Sequence, residues 1–206
     1  MEELSIIKVG GKVVEEAESL KKLLDDFSGV AGKKILVHGG GRSATALAAK
    51  LGIETKMVDG RRITDAPMLE VVTMVYGGLV NKNIVAGLQA RKVNAIGLTG
   101  ADMNVVVSDK RAKGNIDYGF VGDIRAVDAN ALDSLLSAGT IPVIAPLSHD
   151  GKGSMLNINA DTMASTVAVA LASKYKVNLV FCFELLGVMK DVNDPSSVIN
   201  EITPSE

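Results

Sequence analysis

Short, unbroken apolar runs constrain this chain more than any other feature. Residues 4–9, 34–37, 95–98, 141–145 and 177–183 are mostly apolar and show no regular polar alternation. A strand with one face in water alternates, so such runs indicate strands covered on both faces. Helical spacing fills the intervals: Ala17, Leu20, Leu24 and Phe27 recur across residues 15–27, and further helices are expected over 43–51, 129–138 and 161–174. Strands alternating with helices specify an α/β domain around a mostly parallel sheet. No internal repeat or linker interrupts it.

Smaller signals fill in the path. Residues 56–58 and 61–64 flank Asp59-Gly60, a pair that supplies the positive φ angles of a tight hairpin turn. Thr64 and Asp65 can cap a following helix with Pro67 in its first turn. That helix is expected to run to about Ala90, weakened at Gly77-Gly78. Residues 105–107 and 118–127 read as strands of an excursion, and residues 148–154 as a polar loop. Gly52 and Gly139 are placed to stop helices.

Charge and composition exclude several functions. Lys+Arg is 22 against Asp+Glu 24, without the basic excess of a nucleic-acid or membrane-surface protein. Aromatic residues are 3% with no Trp, too few for a base-stacking platform. One cysteine, Cys182, excludes an internal disulfide framework and a cysteine-based zinc cluster, and fits a reducing cytoplasm. Cys182 lies in an apolar run and reads as core. Two histidines make no histidine-rich metal site, and no metal ligands are expected. No run approaches the roughly 18–20 apolar residues of a membrane span, and the acidic start, Met1-Glu2-Glu3, is unlike a signal peptide.

Glycine is the compositional outlier, 21 residues or about 10% of the chain against a usual ~7%. No G-x-G-x-x-G follows a strand, and Gly151-Lys152-Gly153-Ser154 only approximates a P-loop, in the wrong context. The protein-kinase motifs are missing. Instead, Lys8-Val9-Gly10-Gly11 and His38-Gly39-Gly40-Gly41 both close apolar strands. Ligands of open α/β sheets bind at that edge, where glycine leaves backbone N–H groups open to an anion. Lys8, at the end of a buried strand, either reaches solvent or needs a counter-anion, supplied by a carboxylate or a bound phosphate. Arg62, just past the hairpin turn, is suited to a bidentate carboxylate grip. Its neighbour Arg61 should point to the opposite face, toward solvent. Asn157, Asn159 and Asp161 crowd one helix entrance, more polar groups than a cap requires. His38 reads as a structural, hydrogen-bonded histidine.

In order, Lys8-x-Gly10-Gly11, His38-Gly39-Gly40-Gly41, Gly60-x-Arg62-Ile63-Thr64 and Asn157-x-Asn159-Ala160-Asp161 resemble the motifs of the amino acid kinase family. The Gly-x-Arg-hydrophobic-Thr element points within it to the branch that phosphorylates N-acetylglutamate in arginine biosynthesis. The resemblance implies a three-layer αβα sandwich and an ATP-dependent phosphorylation of the side-chain carboxylate of N-acetyl-L-glutamate, or of another N-acylglutamate. It assigns catalysis to Lys8 and Asp161, the latter orienting the lysine. Substrate binding falls to Gly40, Gly41, Arg62 and Asn157, and phosphate binding to Gly10 and Gly11. The family's Asp-Val-x-Gly nucleotide loop corresponds to Glu184-Leu185-Leu186-Gly187, with Glu184 for Asp, so Glu184 and Gly187 are its nucleotide-binding candidates. ATP with Mg2+ held mainly by the nucleotide, small-molecule substrates, a homodimer, no nucleic acid and no membrane complete the implication. Two other readings stay open: a non-catalytic acylglutamate-binding module, and another enzyme of the family acting on a carboxylate or phosphate.

The last residues bear on organisation. Thr203-Pro204-Ser205-Glu206 has the form of a capping box with Pro at the first helical position, announcing a helix. The family's second catalytic lysine, in a Gly-Gly-Met-x-x-Lys-like segment, would follow. The expectation is a 1–175 acylglutamate-binding lobe and, at 176–206, the start of a nucleotide-binding lobe that is truncated. Such a chain should bind acylglutamate and turn over poorly.

Overall fold

The computed structural model describes residues 1–185, 187–191 and 193–203. In chain order it forms β1 (Glu3–Val9), α1 (Gly11–Glu15), α2 (Ala17–Gly29), β2 (Lys33–His38), α3 (Gly41–Lys50), the hairpin β3 (Met57–Val58) and β4 (Arg61–Arg62), and α4 (Ala66–Val72). A π-helical stretch, Thr73–Val80, joins α4 to α5 (Asn81–Gln89). Then follow β5 (Ala95–Leu98), β6 (Val106–Lys110), β7 (Gly122–Val127), α6 (Ala129–Ser137), β8 (Ile141–Ile144), β9 (Leu147–His149), β10 (Met155–Asn157), α7 (Ala160–Leu171) and β11 (Lys176–Cys182).

The central sheet has the order β11-β1-β2-β8-β5, with every pairing parallel. Its strands are apolar on both faces because each face has its own core. Ile7, Val9, Leu36 and Val143 pack with residues of α2, α3, α4 and α5 on one side. Leu4, Ile6, Ile35, Val37 and Ile144 pack with α6 and α7 on the other. This is the expected three-layer αβα sandwich. A smaller sheet, β10-β9-β6-β7, carries the excursion after β5.

The local turn signals act as anticipated. Asp59 (φ 48°) and Gly60 (φ 71°) make the hairpin turn, pairing Met57 with Arg62. The Asp65 carboxylate accepts from Met68 N–H at 3.0 Å and caps α4. Gly52 and Gly139, both at φ 72°, end α3 and α6.

Three expectations need correction and one, the long helix, holds with a local change. The helix over 15–27 is two helices, because Glu16 is extended (φ −95°, ψ 120°). Spacing alone cannot register one non-helical residue between two amphipathic segments. The helix from Ala66 continues to Gln89 but widens to a π-helix around Gly77-Gly78. It is apolar and long enough for a membrane span by length and composition alone, yet Val71, Val72, Val75, Val80, Ile84 and Leu88 are buried in the core. Of the polar segment 148–154, Ser148 and His149 belong to β9 rather than to a loop, and they pair with Leu156 and Met155 of β10; three-residue strands are too short to show a period. Finally, β11 is an edge strand, with Val180 44% and Phe181 39% exposed. Of the capping box at 203–206, residues 204–206 lie outside the described residues.

The core makes opposite demands at two glycines. A Cβ on Gly97 would stand 1.8 Å from Oδ1 of the buried Asn81, whereas one on Gly78 meets nothing within 4 Å. Gly97→Ala should lower the unfolding free energy by about 2–3 kcal/mol through overpacking. Gly78→Ala should raise it by about 0.5–1 kcal/mol by removing helix-interior glycine. Urea titrations of the two variants test both signs.

Candidate active site

The C-terminal ends of β1 and β2 open into two glycine loops that meet backbone to backbone. Gly39 N–H donates to Val9 O at 3.0 Å, and Gly10 N–H to Cys182 O at 3.0 Å. A Cβ on Gly39 would come within 3.0 Å of Gly11 N, and one on Gly40 within 2.9 Å of the Tyr76 ring. Helices α1 and α3 start here, so first-turn N–H groups face the gap. The Gly10 amide is committed to the neighbouring strand, while none of the described residues accepts from the N–H of Gly11, Gly40 or Gly41. The Glu15 carboxylate takes the Ser43 N–H at 2.6 Å, tying α1 to the first turn of α3.

Lys8 lies on the same side of β1 as Leu4 and Ile6, the side covered by α7. There its Nζ meets Asp161 Oδ1, in the first turn of α7, at 2.8 Å. The three polar residues at this helix entrance divide the work. Asn159 is the cap, its Oδ1 accepting from Thr162 N–H at 3.0 Å. Asp161 holds Lys8. Asn157 is buried and donates through Nδ2 to Thr64 Oγ1 at 3.0 Å.

Arg62 is buried despite its charge. Its Nη2 donates to Gly41 O at 2.8 Å and Thr45 Oγ1 at 2.9 Å, and its Nη1 to Thr55 Oγ1 at 3.3 Å. The guanidinium is therefore held in place by α3 and the segment before the hairpin. A cleft of about 170 Å³ brings together Gly40, Gly41, Arg62 and Asn157. Arg61 lines it too and is half-buried, contrary to the solvent-facing position expected from strand alternation. A two-residue strand next to a turn is too short and twisted to keep the faces apart.

Glu184 comes to the outer side of the same loops, where its carboxylate pairs with Lys12 at 3.2 Å beside Gly11 and Gly41. Gly187 is not brought to the cleft; it packs near Val198. His38 is fully buried under the second glycine loop, with Nδ1 donating to Gly39 O at 2.7 Å and Nε2 accepting from Asn81 Nδ2 at 3.1 Å. Sequence reasoning missed Glu15, Tyr76 and Asn81. Each sits in an amphipathic helical pattern and serves the site through contacts distant in sequence. Burial raises the pKa of the Tyr76 phenol, with the charge of Arg62 opposing.

The model of the amino acid kinase family matches residues 3–206 of this chain. Acetylglutamate kinase of Phocaeicola vulgatus is 67% identical over 205 residues, which are 100% of this chain and 80% of that protein. Acetylglutamate kinase of Bacteroides thetaiotaomicron is 64% identical over 205 residues, with the same coverage. Among solved structures, N-acetylglutamate synthase of Neisseria gonorrhoeae, complexed with coenzyme A and N-acetyl-glutamate, superposes with a TM-score of 0.79 at 25% identity. The match covers 96% of this chain and 44% of that one.

His38 generates a pH dependence of stability. Burial lowers its pKa from 6.5 to about 4, with the Lys82 charge adding to the effect and the bond to Gly39 opposing it. The folded chain excludes a proton that the unfolded chain accepts below about pH 6.5. Stability is therefore complete above that pH and is lost as pH falls toward 4. Chemical unfolding should show a loss of about 2–3 kcal/mol between pH 7 and pH 4.5, and His38→Gln should flatten that slope. An unaltered chain equally stable at both pH values would remove the assignment.

Proposed function

Because the chain belongs to the amino acid kinase family, we propose that its cleft holds N-acetyl-L-glutamate, or another N-acylglutamate, and that the chain carries out ATP-dependent phosphorylation of the ligand's side-chain carboxylate, a step of arginine biosynthesis. One observation carries this reading: the Lys8–Asp161 ion pair stands next to a cleft that gathers Gly40, Gly41, Arg62 and Asn157 from three separate segments. Curated relatives at 64–67% identity named acetylglutamate kinase support it, as does the synthase that binds N-acetyl-glutamate on a similar fold.

Arg62 would take a carboxylate of the acylated amino acid as a charge-assisted pair, with Asn157 beside it. The side-chain carboxylate then attacks the terminal phosphorus of ATP, and the bond to the bridging oxygen breaks to release ADP. No protein nucleophile is needed, so the chain's contribution is positioning and charge neutralisation. Lys8 would meet the charge on the transferring phosphoryl group, and Asp161 would hold the ammonium at that point. Open N–H groups of Gly11, Gly40 and Gly41 would accept phosphoryl and carboxylate oxygens.

Asp161 and Glu184 are already engaged with Lys8 and Lys12. That donor set fits a Mg2+ held mainly by the nucleotide's phosphates rather than by a protein carboxylate cage. When bound, the metal would offset phosphate charge. Residues 1–175 would form the acylglutamate lobe and the segment from 176 would begin the nucleotide lobe; the contact of Glu184 with Lys12 beside the first glycine loop supports Glu184 on the nucleotide side. Met74 and Leu79, exposed on the long helix, support assembly with a second copy.

Two variants test the assignments. Arg62→Ala should weaken N-acetylglutamate binding by about 2–3 kcal/mol in calorimetry while nucleotide affinity holds. Equal affinity for N-acetylglutamate would refute the grip. Lys8→Ala should lower kcat by about 10²–10³ in an ADP-release assay. Its melting temperature should change little, because the Asp161 left behind is 56% exposed and its carboxylate is solvated rather than stranded as a buried charge.

A further inference from the structure

Thr64 bonds both Arg62 and Asn157 through its hydroxyl. It is fully buried. Its hydroxyl proton goes to Arg62 O at 3.1 Å. A hydroxyl has one proton, so its oxygen can only accept from Asn157, and the Asn157 atom at 3.0 Å must be the Nδ2 donor. The relay thus runs Asn157 Nδ2–H to Thr64 Oγ1–H to Arg62 O, joining residues 93 positions apart. It also settles the orientation of the Asn157 amide, whose Oδ1 receives no hydrogen bond from the described residues and remains for the cleft.

The main chain reinforces the same link. Thr64 N–H donates to Tyr118 O at 3.0 Å, Phe120 N–H to Thr64 O at 2.6 Å, and Asn157 N–H to Phe120 O at 2.8 Å. The strap 118–120 therefore lies between the segment after the hairpin and the segment before α7. Only glycine fits at its centre: Gly119 has φ +70°, and a Cβ there would stand 2.2 Å from Thr64 O. Asp117 Oδ1 takes the Gly119 N–H at 2.9 Å and shapes the bend.

We infer that Thr64 is a positioning residue for the ligand cleft, its hydroxyl locking the Asn157 amide so that an acceptor oxygen faces a ligand N–H. The inference rests on the acylglutamate reading for the identity of that ligand. Removing the hydroxyl leaves the Asn157 amide without its anchor and free to present its donor end, which repels a ligand N–H. The nucleotide side, formed by other residues, is untouched.

Calorimetry with N-acetyl-L-glutamate, and separately with a non-hydrolysable ATP analogue, tests this on the full chain, Thr64→Val and Thr64→Ser. Thr64→Val should bind N-acetylglutamate about tenfold more weakly, and Thr64→Ser should restore affinity to within about twofold. Binding of the ATP analogue should be the same in all three. Unchanged N-acetylglutamate affinity in Thr64→Val overturns the inference. So does a Ser variant as weak as Val, or a parallel fall in nucleotide affinity, which marks a general structural role. If Thr64→Val does not fold, Thr64→Ala carries the same comparison. An unaltered chain that does not bind N-acetylglutamate refutes the proposed function instead. In that event proton exchange of the Asn157 side-chain amide decides the relay: protection in the unaltered chain and Thr64→Ser supports it, and rapid exchange in either overturns it.

Discussion

The site depends on two glycine loops lying against each other at backbone distance. Gly39 donates to the carbonyl of Val9, and the Cβ of any other residue there would stand 3.0 Å from Gly11 N. This contact follows from the parallel pairing of β1 with β2, which places Val9 beside His38. It brings the starts of α1 and α3 to one point and turns their unpaired N–H groups into a single electropositive surface. Side chains at these positions would separate the strand ends and disperse that surface.

Below the loops the floor is polar yet fully satisfied. His38 is kept neutral by burial and bonds the loop carbonyl of Gly39, while Asn81 bonds His38 and Val143 O. The cost of burying these groups is offset only if every partner is present. That explains the bare Gly97, which leaves room for the Asn81 side chain. The network ties the second glycine loop to the sheet, and the only ionised group bonded into it among the described residues is the Lys82 ammonium, which donates to Asn81 Oδ1 at 3.1 Å.

Charge in the cleft is arranged by strand parity and burial. Lys8 faces α7 because it shares a side with Leu4 and Ile6, and the first turn of that helix supplies Asp161. Arg62 is fixed by neutral oxygens of Gly41, Thr45 and Thr55 rather than by a carboxylate. No carboxylate among the described residues pairs with it, which is what the proposed grip on an acidic ligand requires.

What the sequence determined by itself was whatever local chemistry controls. Apolar runs identified the strands, helical spacing identified most helices, and Asp59-Gly60, Asp65, Gly52 and Gly139 marked their turns and ends, because backbone φ and hydrogen bonding at such points depend on one or two residues. The glycine loops, Arg62, Asn157 and Asp161 were legible as a set because each motif is contiguous. Tertiary structure decided what depends on distant partners. It split the helix at Glu16, left β11 at an edge, and turned Arg61 toward the cleft. It also divided the roles of Asn157, Asn159 and Asp161, which look alike at a helix entrance until Thr64, Thr162 and Lys8 are in place. A hydrogen bond between residues 93 positions apart leaves no mark on local periodicity, since it exists only once the sheet has brought the segments together.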